Sequence, residues 1–512
     1  MATVNKIDSN VTALRYAEED TFKTLGTSPI WKALEPNSYQ DFGGNITTVA
    51  RTPISADRQR KKGVTSDLES AGGFNNDLTQ TNLQDLLQGF FFSNFRRKGE
   101  QLATAVNIDG ANPDKYEMDD TSNFKVDDLV LGSGFSNSQN NTLGLITGIT
   151  VDTNIEVSST LIDEVTPPTD AQLTVVGHNF QTGEVDIDAS TVLPRLVRVS
   201  GVKDFTTFGL SVGEFIFIGG DENNKSFTTA NNNGFKRIRK ISTDYIEFDK
   251  SDTAMVTEVG TTVDVRIFFG RVLKNEVGSN IVRRTYQLER DLGAPDDSST
   301  DTQAEYIVGA VPNELSLNIS TADKITVDMS FVGADHEMVS AGNKKTGTRP
   351  NVLESNAFNT SSDFSRIKMA EVDESNEAPT PLFAFVTEMT LNLNNNVSPN
   401  KAIGTLGSFD STAGLFQVSG DLTAYFSNVS AISAVRNNSN ITLDLALVKD
   451  NSGIVVDIPL ITLSDSRANV EQDSPITLPI TKDAVSGSTI DPELNHTLLM
   501  VFFDYLPDIA DV

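Results

Sequence analysis

Pro53 to Phe92 reads PISADRQRKKGVTSDLESAGGFNNDLTQTNLQDLLQGFFF. A basic loop (Arg58, Arg60, Lys61, Lys62, then Gly63) leads through an alternating segment to a Gly72-Gly73 turn and then to a helix candidate. Leu83, Leu86, Leu87, Phe90 and Phe91 recur at helical spacing, so they form one apolar stripe, the expected core face of a flanking helix. Thr81 is the expected N-cap, and Asp85 suits the positive end of the helix dipole.

Around this stretch the chain reads as mainly β. Its 18 prolines and 35 glycines are spread between short runs rich in Val, Ile, Thr and Phe, the pattern of many strands and turns. At 512 residues it has room for about three domains by the usual size prior. With no cysteine, neither a disulfide framework nor a thiolate metal site can be built. The first residues, MATVNKIDSNVTALRYAEED, carry no basic and apolar export pattern, and no apolar run approaches the roughly 18 residues that cross a membrane. A net charge of -30 argues against a protein that works by neutralising nucleic-acid phosphates. That acidity either repels DNA or simply keeps an abundant protein soluble.

Val11 to Glu19 is a short helix candidate. The only tryptophan, Trp31, anchors either an arm lying on a neighbouring subunit or the core of its own subunit. Beyond Phe92, Arg96-Arg97-Lys98-Gly99 makes a second basic spot. This spot and the loop at Arg58 to Lys62 are either places to meet another acidic copy or solvated guards of a strand edge.

Residues 100 to about 280 hold an internal repeat. One copy runs Val126-x-x-Leu129-Val130-Leu131-Gly132, Asn140-Asn141, Ile146-x-x-Ile149, Asn154-Ile155-Glu156-Val157. The other runs Val212-x-x-Phe215-Ile216-Phe217-Ile218-Gly219, Asn231-Asn232-Asn233-Gly234, Ile238-x-x-Ile241, Asp244-Tyr245-Ile246-Glu247-Phe248. Each predicts strand, Asn/Gly loop, strand, turn, strand, hence two small β-modules, and two units are too few for a solenoid. Pro167-Pro168-Thr169-Asp170 and the run to Pro194 mark the expected boundary between them. From Arg283 single-face alternation returns, as in Leu315-Ser316-Leu317-Asn318-Ile319 and Ile325 to Gly333, past a polar loop at Asp296-Asp297-Ser298-Ser299-Thr300. The polar stretch Val339 to Pro381, with Lys344-Lys345 and Gly347, is expected to be a long loop, either functional or a free surface excursion.

Two blocks resemble the tail tube proteins of long-tailed bacteriophages. The first holds Pro53-Ile54-Ser55, Arg58-Gln59-Arg60-Lys61-Lys62-Gly63, Gly72-Gly73-Phe74 with Asp77-Leu78, and Leu86-Leu87-x-Gly89-Phe90-Phe91. The second holds Gly309-x-x-Pro312-Asn313-x-Leu315-Ser316-Leu317, Met329-Ser330-Phe331-Val332-Gly333, Thr390-Leu391-Asn392-Leu393-Asn394-Asn395, Val418-Ser419-Gly420-Asp421-Leu422 with Tyr425-Phe426, and Ile458-Pro459. The resemblance implies a β-sandwich or barrel with one flanking helix, divided into residues 1–99 and 283–512. Modules at 100–194 and 195–282 are the inserted part. It further implies rings, commonly hexameric, stacked in the virion tail as an acidic conduit for DNA ejection. Assembly would occur in the host cytoplasm with tape measure, tail terminator and baseplate or tail-tip proteins as partners, no cofactor, no specific DNA binding and no membrane. Arg51, Arg58, Arg60, Lys61, Lys62, Arg96 and Arg97 are the expected contacts between subunits or rings.

Enzymatic readings find little support. His178, His336 and His496 have no partner at metal-ligand spacing, Gly132-Ser133-Gly134 lacks the third glycine of a dinucleotide loop, and Asp109 to Asp114 lacks the calcium-loop pattern. Alternatives are another virion shell protein, capsid or decoration, or a secreted β-rich glycan-binding protein. The latter predicts an aromatic-lined carboxylate cleft, for which one tryptophan is a poor start.

Overall fold

The computed structural model describes residues 6–54, 56, 58–102, 106–199, 204–221, 225–297, 302–352, 355–464 and 467–508. Ser55 and Ser298-Ser299-Thr300, singled out above, lie outside this set. The described chain is mainly β, with two large antiparallel sheets of 17 and 14 strands and two short α-helices, Gln84–Phe91 and Ser430–Asn437. The first of these was expected; the second was not. The second, SAISAVRN, buries Ala431 and Ala434 and half-buries Ile432 and Val435, an apolar face too short and too small to stand out in the sequence.

The larger sheet takes its strands from both ends of the chain. Its long member Gln303–Ser320 pairs through its first half with Tyr286–Gly293 and Asp335–Ser340. Its second half lies between Thr326–Gly333 and Val386–Asn394. Alternation predicts one buried face here, and Leu317, Ile319, Val327, Met329, Leu391 and Leu393 all enter one core. The first helix packs onto that core, with Leu83, Leu86, Leu87, Phe90 and Phe91 all buried and the Phe90 ring edge-on to Phe331 at 5.3 Å.

Three local expectations are corrected. Thr81 does not cap the helix: the Thr79 hydroxyl accepts from the Thr81 and Asn82 amides, making a tight turn first, and the helix begins at Gln84. Gly72-Gly73 is not a turn but lies inside the strand Lys61–Asp77, beside a register shift in its partner between Gln40 and Gly43. A Cβ on Gly73 would sit 2.5 Å from the Gln40 carbonyl oxygen, so glycine is required there by close backbone approach. Val11 to Glu19 is not a helix but leads into the strand Ala13–Thr21, where Leu14 and Tyr16 face the core. Of the two readings of Trp31, the structure shows the core anchor: it is fully buried, its indole Nε1 donates to the Thr346 carbonyl at 3.0 Å, and its ring packs edge-on to Tyr306.

The second sheet contains both repeat copies, and its strand order reads alike from both ends. Val106–Asn107, Lys115–Met118, Asn154–Val157, Leu143–Thr150, Asp128–Ser133 and Gln172–Phe180 lie on one side. Val185–Asp188, Arg195–Arg198, Tyr245–Lys250, Gly234–Ile241, Phe215–Ile218 and Val265–Phe268 mirror them on the other. The halves meet where Gln172–Phe180 pairs with Val265–Phe268. Val185–Asp188, which precedes the boundary expected at 194, is thus built into the second half, because its hydrogen-bonding partner is Arg195–Arg198.

The Asn/Gly loops repeat to the level of single atoms. Glu164 accepts from the Ser136 amide at 2.8 Å and Asn140 Nδ2 at 2.8 Å; Glu258 accepts from the Thr228 amide at 2.7 Å and Asn232 Nδ2 at 2.8 Å. Asn141 and Asn233 each bracket the backbone of a phenylalanine, Phe135 and Phe227. Burial opposes the charge of both glutamates, but these donors outweigh it and hold each carboxyl below its ordinary pKa.

The two sheets are joined by an apolar cluster and a buried ion network. Phe215, Phe217 and Phe235 pack with Val455, Val501 and Phe503, with Phe235 and Phe503 at 5.7 Å. Beside them, Asp457 of the larger sheet accepts from Arg237 at 2.9 Å and Lys250 at 2.5 Å of the second. Arg237 also forks onto Asp249, and Asp444 pairs with Lys250 and Arg366.

Candidate assembly surfaces

The basic loop crowns a long hairpin. Pro36–Arg51 pairs with Lys61–Asp77, but the latter meets its other neighbour, Thr326–Gly333, only from Ser70 to Asp77. Beyond that point the ribbon is two strands wide, and every residue from 45 to 51 is exposed. Arg51, Arg58, Arg60, Lys61 and Lys62 are exposed around its tip, where Arg58 has φ 57°. Ile46, Val49, Val64 and Ile54 are exposed along the same ribbon. An isolated two-stranded ribbon is at best marginally stable, so an apolar one that reaches into solvent is suited to a partner.

The second basic spot is occupied within the chain. Arg96 pairs with Glu276 at 2.7 Å, Arg97 with Glu100 at 2.7 Å, and buried Lys98 with buried Glu214 at 3.1 Å. Glu276 and Glu214 come from distant stretches of sequence, so no local pattern announces them, whereas Glu100 lies only three residues beyond Arg97. The stretch from Val339 to Pro381 is likewise more than a loop. Phe364–Glu371 is a strand paired with Ile441–Lys449, and Arg349 forks onto buried Glu289 beneath Trp31.

A third surface was legible only in part. Outward from the core, five adjacent strands (Thr326–Gly333, the second half of Gln303–Ser320, Val386–Asn394, Gln417–Tyr425 and Thr477–Val485) present one continuous face. Its side chains are tied to one another. Asp328 accepts from Gln40 at 3.0 Å, Asn75 at 2.8 Å and Asn318 at 2.7 Å; Ser316 donates to Asn392 at 2.6 Å, and Thr481 to Asp421 at 2.9 Å. Glu314, Asp328, Glu388, Asp421 and Asp483 are its charges, and none of its outward positions is Lys or Arg. Lys482 lies on these strands but turns inward, its amine donating to the Thr390 and Asp421 carbonyls, and burial lowers its pKa to about 8. Strand alternation made these polar positions readable; which strands stand side by side required the pairing.

The histidines serve structure. His178 Nδ1 lies 2.8 Å from Asp128, His336 Nε2 lies 2.7 Å from Glu305, and His496 is buried. Among the described residues no group of three or more His, Cys, Asp or Glu is placed to hold a metal ion, and no helix is long and apolar enough to cross a membrane. The search of curated proteins found no match to this chain. A family model described as phage tail tube protein, however, matches residues 9–484, nearly the whole length. By that match the chain belongs to the phage tail tube protein family and is a structural component of the virion tail.

Proposed function

We propose that copies of this chain close into rings, commonly of six, that stack into a hollow tube, and that the cation-free polar sheet face lines the bore through which DNA leaves. The observation that carries this reading is the absence of Lys and Arg from the outward positions of five adjacent strands, beside five carboxylates. Like charge would keep a passing polyanion from sticking, and hydrogen bonds within the face leave few loose donors to grip phosphate. Sheet margins that meet around the ring would turn unpaired strand edges into the joint between subunits. The sheet that carries the two repeat copies is an insertion within the tube domain, and tape measure, terminator and tail-tip proteins would meet the finished tube at its lumen and ends.

The hairpin is the contact we assign to neighbouring subunits or rings, through Arg51, Arg58, Arg60, Lys61 and Lys62. Changing Arg58, Arg60 and Lys61 together to Glu should leave a folded monomer that builds no tubes in negative-stain micrographs. Tubes of normal length from that variant would refute the assignment. Wild-type protein that stays monomeric at high concentration would refute the tube itself.

A further inference from the structure

Opposite ends of the strands that carry the polar face present complementary surfaces. Val386–Asn394 runs antiparallel to Gln417–Tyr425, and residues 395 to 416 connect them at one end. This connection is a clamped finger. Ser398–Asn400 pairs with Asp410–Thr412, Lys401 bonds Asp67 of the hairpin, and the Ser408 amide donates to the Ala334 carbonyl at 3.2 Å. The finger nonetheless holds Ile403, Leu406, Phe409 and Leu415 in solvent, Ile403 at 108% relative exposure. The hairpin tip projects from this same end, since Lys61–Asp77 runs antiparallel to Val386–Asn394 through their shared neighbours.

The other end, about 30 Å away along nine residues of strand, is concave. There a groove of about 610 Å³ lies between Phe364–Lys368 and Ala384–Met389. Phe364–Glu371 is hydrogen-bonded to a full strand on one side only, and Phe385 stands at the mouth, 68% exposed. A second hollow of about 780 Å³ adjoins it through Pro381 and carries Glu371, Asp373 and Glu374. One end is thus apolar, protruding and basic, while the other is apolar, recessed and acidic.

We propose that these ends dock on each other: the 395–416 finger of one copy seats in the Phe364/Phe385 groove of a second copy, with the hairpin's basic tip facing Glu371, Asp373 and Glu374. Such a contact is heterologous, since it joins two different patches, and between rings stacked along one axis no rotation brings it back on itself, so it propagates without closing. Apolar filling supplies the affinity and the charges fix register. The proposal rests on the stacked-ring reading and names the surfaces that would join one ring to the next.

The test uses a finger variant (Ile403→Asp with Leu406→Asp) and a groove variant (Phe385→Asp), all at exposed positions, with folding checked by circular dichroism and melting; Leu415→Asp serves as a second finger variant. Each alone should give single rings and no tubes. When preformed rings of the two variants are mixed, intact grooves meet intact fingers once, so particles two rings thick and no longer should appear in negative stain. Full-length tubes from either variant, or a mixture without two-ring particles, overturns the proposed contact while leaving the tube reading in place. Wild-type protein that forms no tubes in the same buffer overturns both.

Discussion

Asp457 is the most consequential single carboxylate at the joint between the two sheets. It is fully buried, and both its oxygens are taken, by Arg237 and Lys250 across the joint. Replacing Asp457 with Asn leaves those two cations buried. Arg237 keeps Asp249, but Lys250 keeps only Asp444, at 3.7 Å. Breaking one partner out of a buried pair costs about 3–5 kcal/mol, mostly the penalty of the orphaned charge. The loss should fall on docking of the second sheet, because the network and the Phe235–Phe503 contact bridge the same joint. Urea unfolding of the monomer should therefore show D457N destabilised by about that amount, with an early transition in which trypsin gains access to residues near 237–250. Substituting Lys250 and Asp457 together by apolar residues of similar volume should restore most of the loss, since Arg237 then keeps Asp249 and Asp444 keeps Arg366. A D457N protein within about 1 kcal/mol of wild type, unfolding in one unchanged step, would refute the argument.

Other consequences are open to measurement. His496 is buried with neither ring nitrogen hydrogen-bonded among the described residues, and burial lowers its pKa to about 3. The unfolded chain then binds a proton that the native chain does not, so stability should fall as pH drops below about 6.5, by up to roughly 1.4 kcal/mol per unit, and H496L should flatten that slope in denaturant titrations from pH 6.5 to 4.5. Burial also lowers the Lys236 pKa to about 7; here native stability should rise between pH 7 and pH 9 relative to K236M, and a parallel pair of curves would contradict it. Phe90→Ala should cost about 3–5 kcal/mol in a thermal or urea melt, because its ring fills the contact between the first helix and Phe331. Glu164→Ala and Glu258→Ala should each cost about 1–3 kcal/mol and match one another closely; clearly unequal losses would mean the two loops are not energetically equivalent. Asp328→Lys with Asp421→Lys should leave tube assembly intact while slowing DNA passage, read as reduced ejection from reconstituted particles.

The β character of the chain was legible because strand alternation is a local signal: Leu315, Leu317 and Ile319 face the core as their spacing requires. So was the repeat, carried by paired Asn-rich loops. What escaped is whatever depends on distant partners. Gly72-Gly73 read as a turn because glycine marks turns and close approaches alike, and only the neighbouring Gln40 carbonyl separates the two. Ala13–Thr21 read as helical because Leu14, Tyr16 and Ala17 suit either period, and pairing with Tyr286–Gly293, some 270 residues later, decides it. The ion pairs of Arg96 with Glu276 and of Lys98 with Glu214 join residues more than a hundred positions apart, and only the folded chain brings them together. The exposed face with no cation could be read position by position but not assembled, since its five strands are scattered over about a third of the sequence.

The passage into the second sheet and the passage out of it lie side by side: Arg96 and Val272 exchange both backbone hydrogen bonds, at 2.8 and 3.0 Å. The duplicated unit therefore hangs from a single stem, and its two halves are sewn together along the Gln172–Phe180 and Val265–Phe268 seam. Cutting away one half would unpick the seam and bare a fresh strand margin, whereas excising both would leave a stem that a short turn could close but would uncover Val455, Val501 and Phe503 and strip Asp457 of its cations.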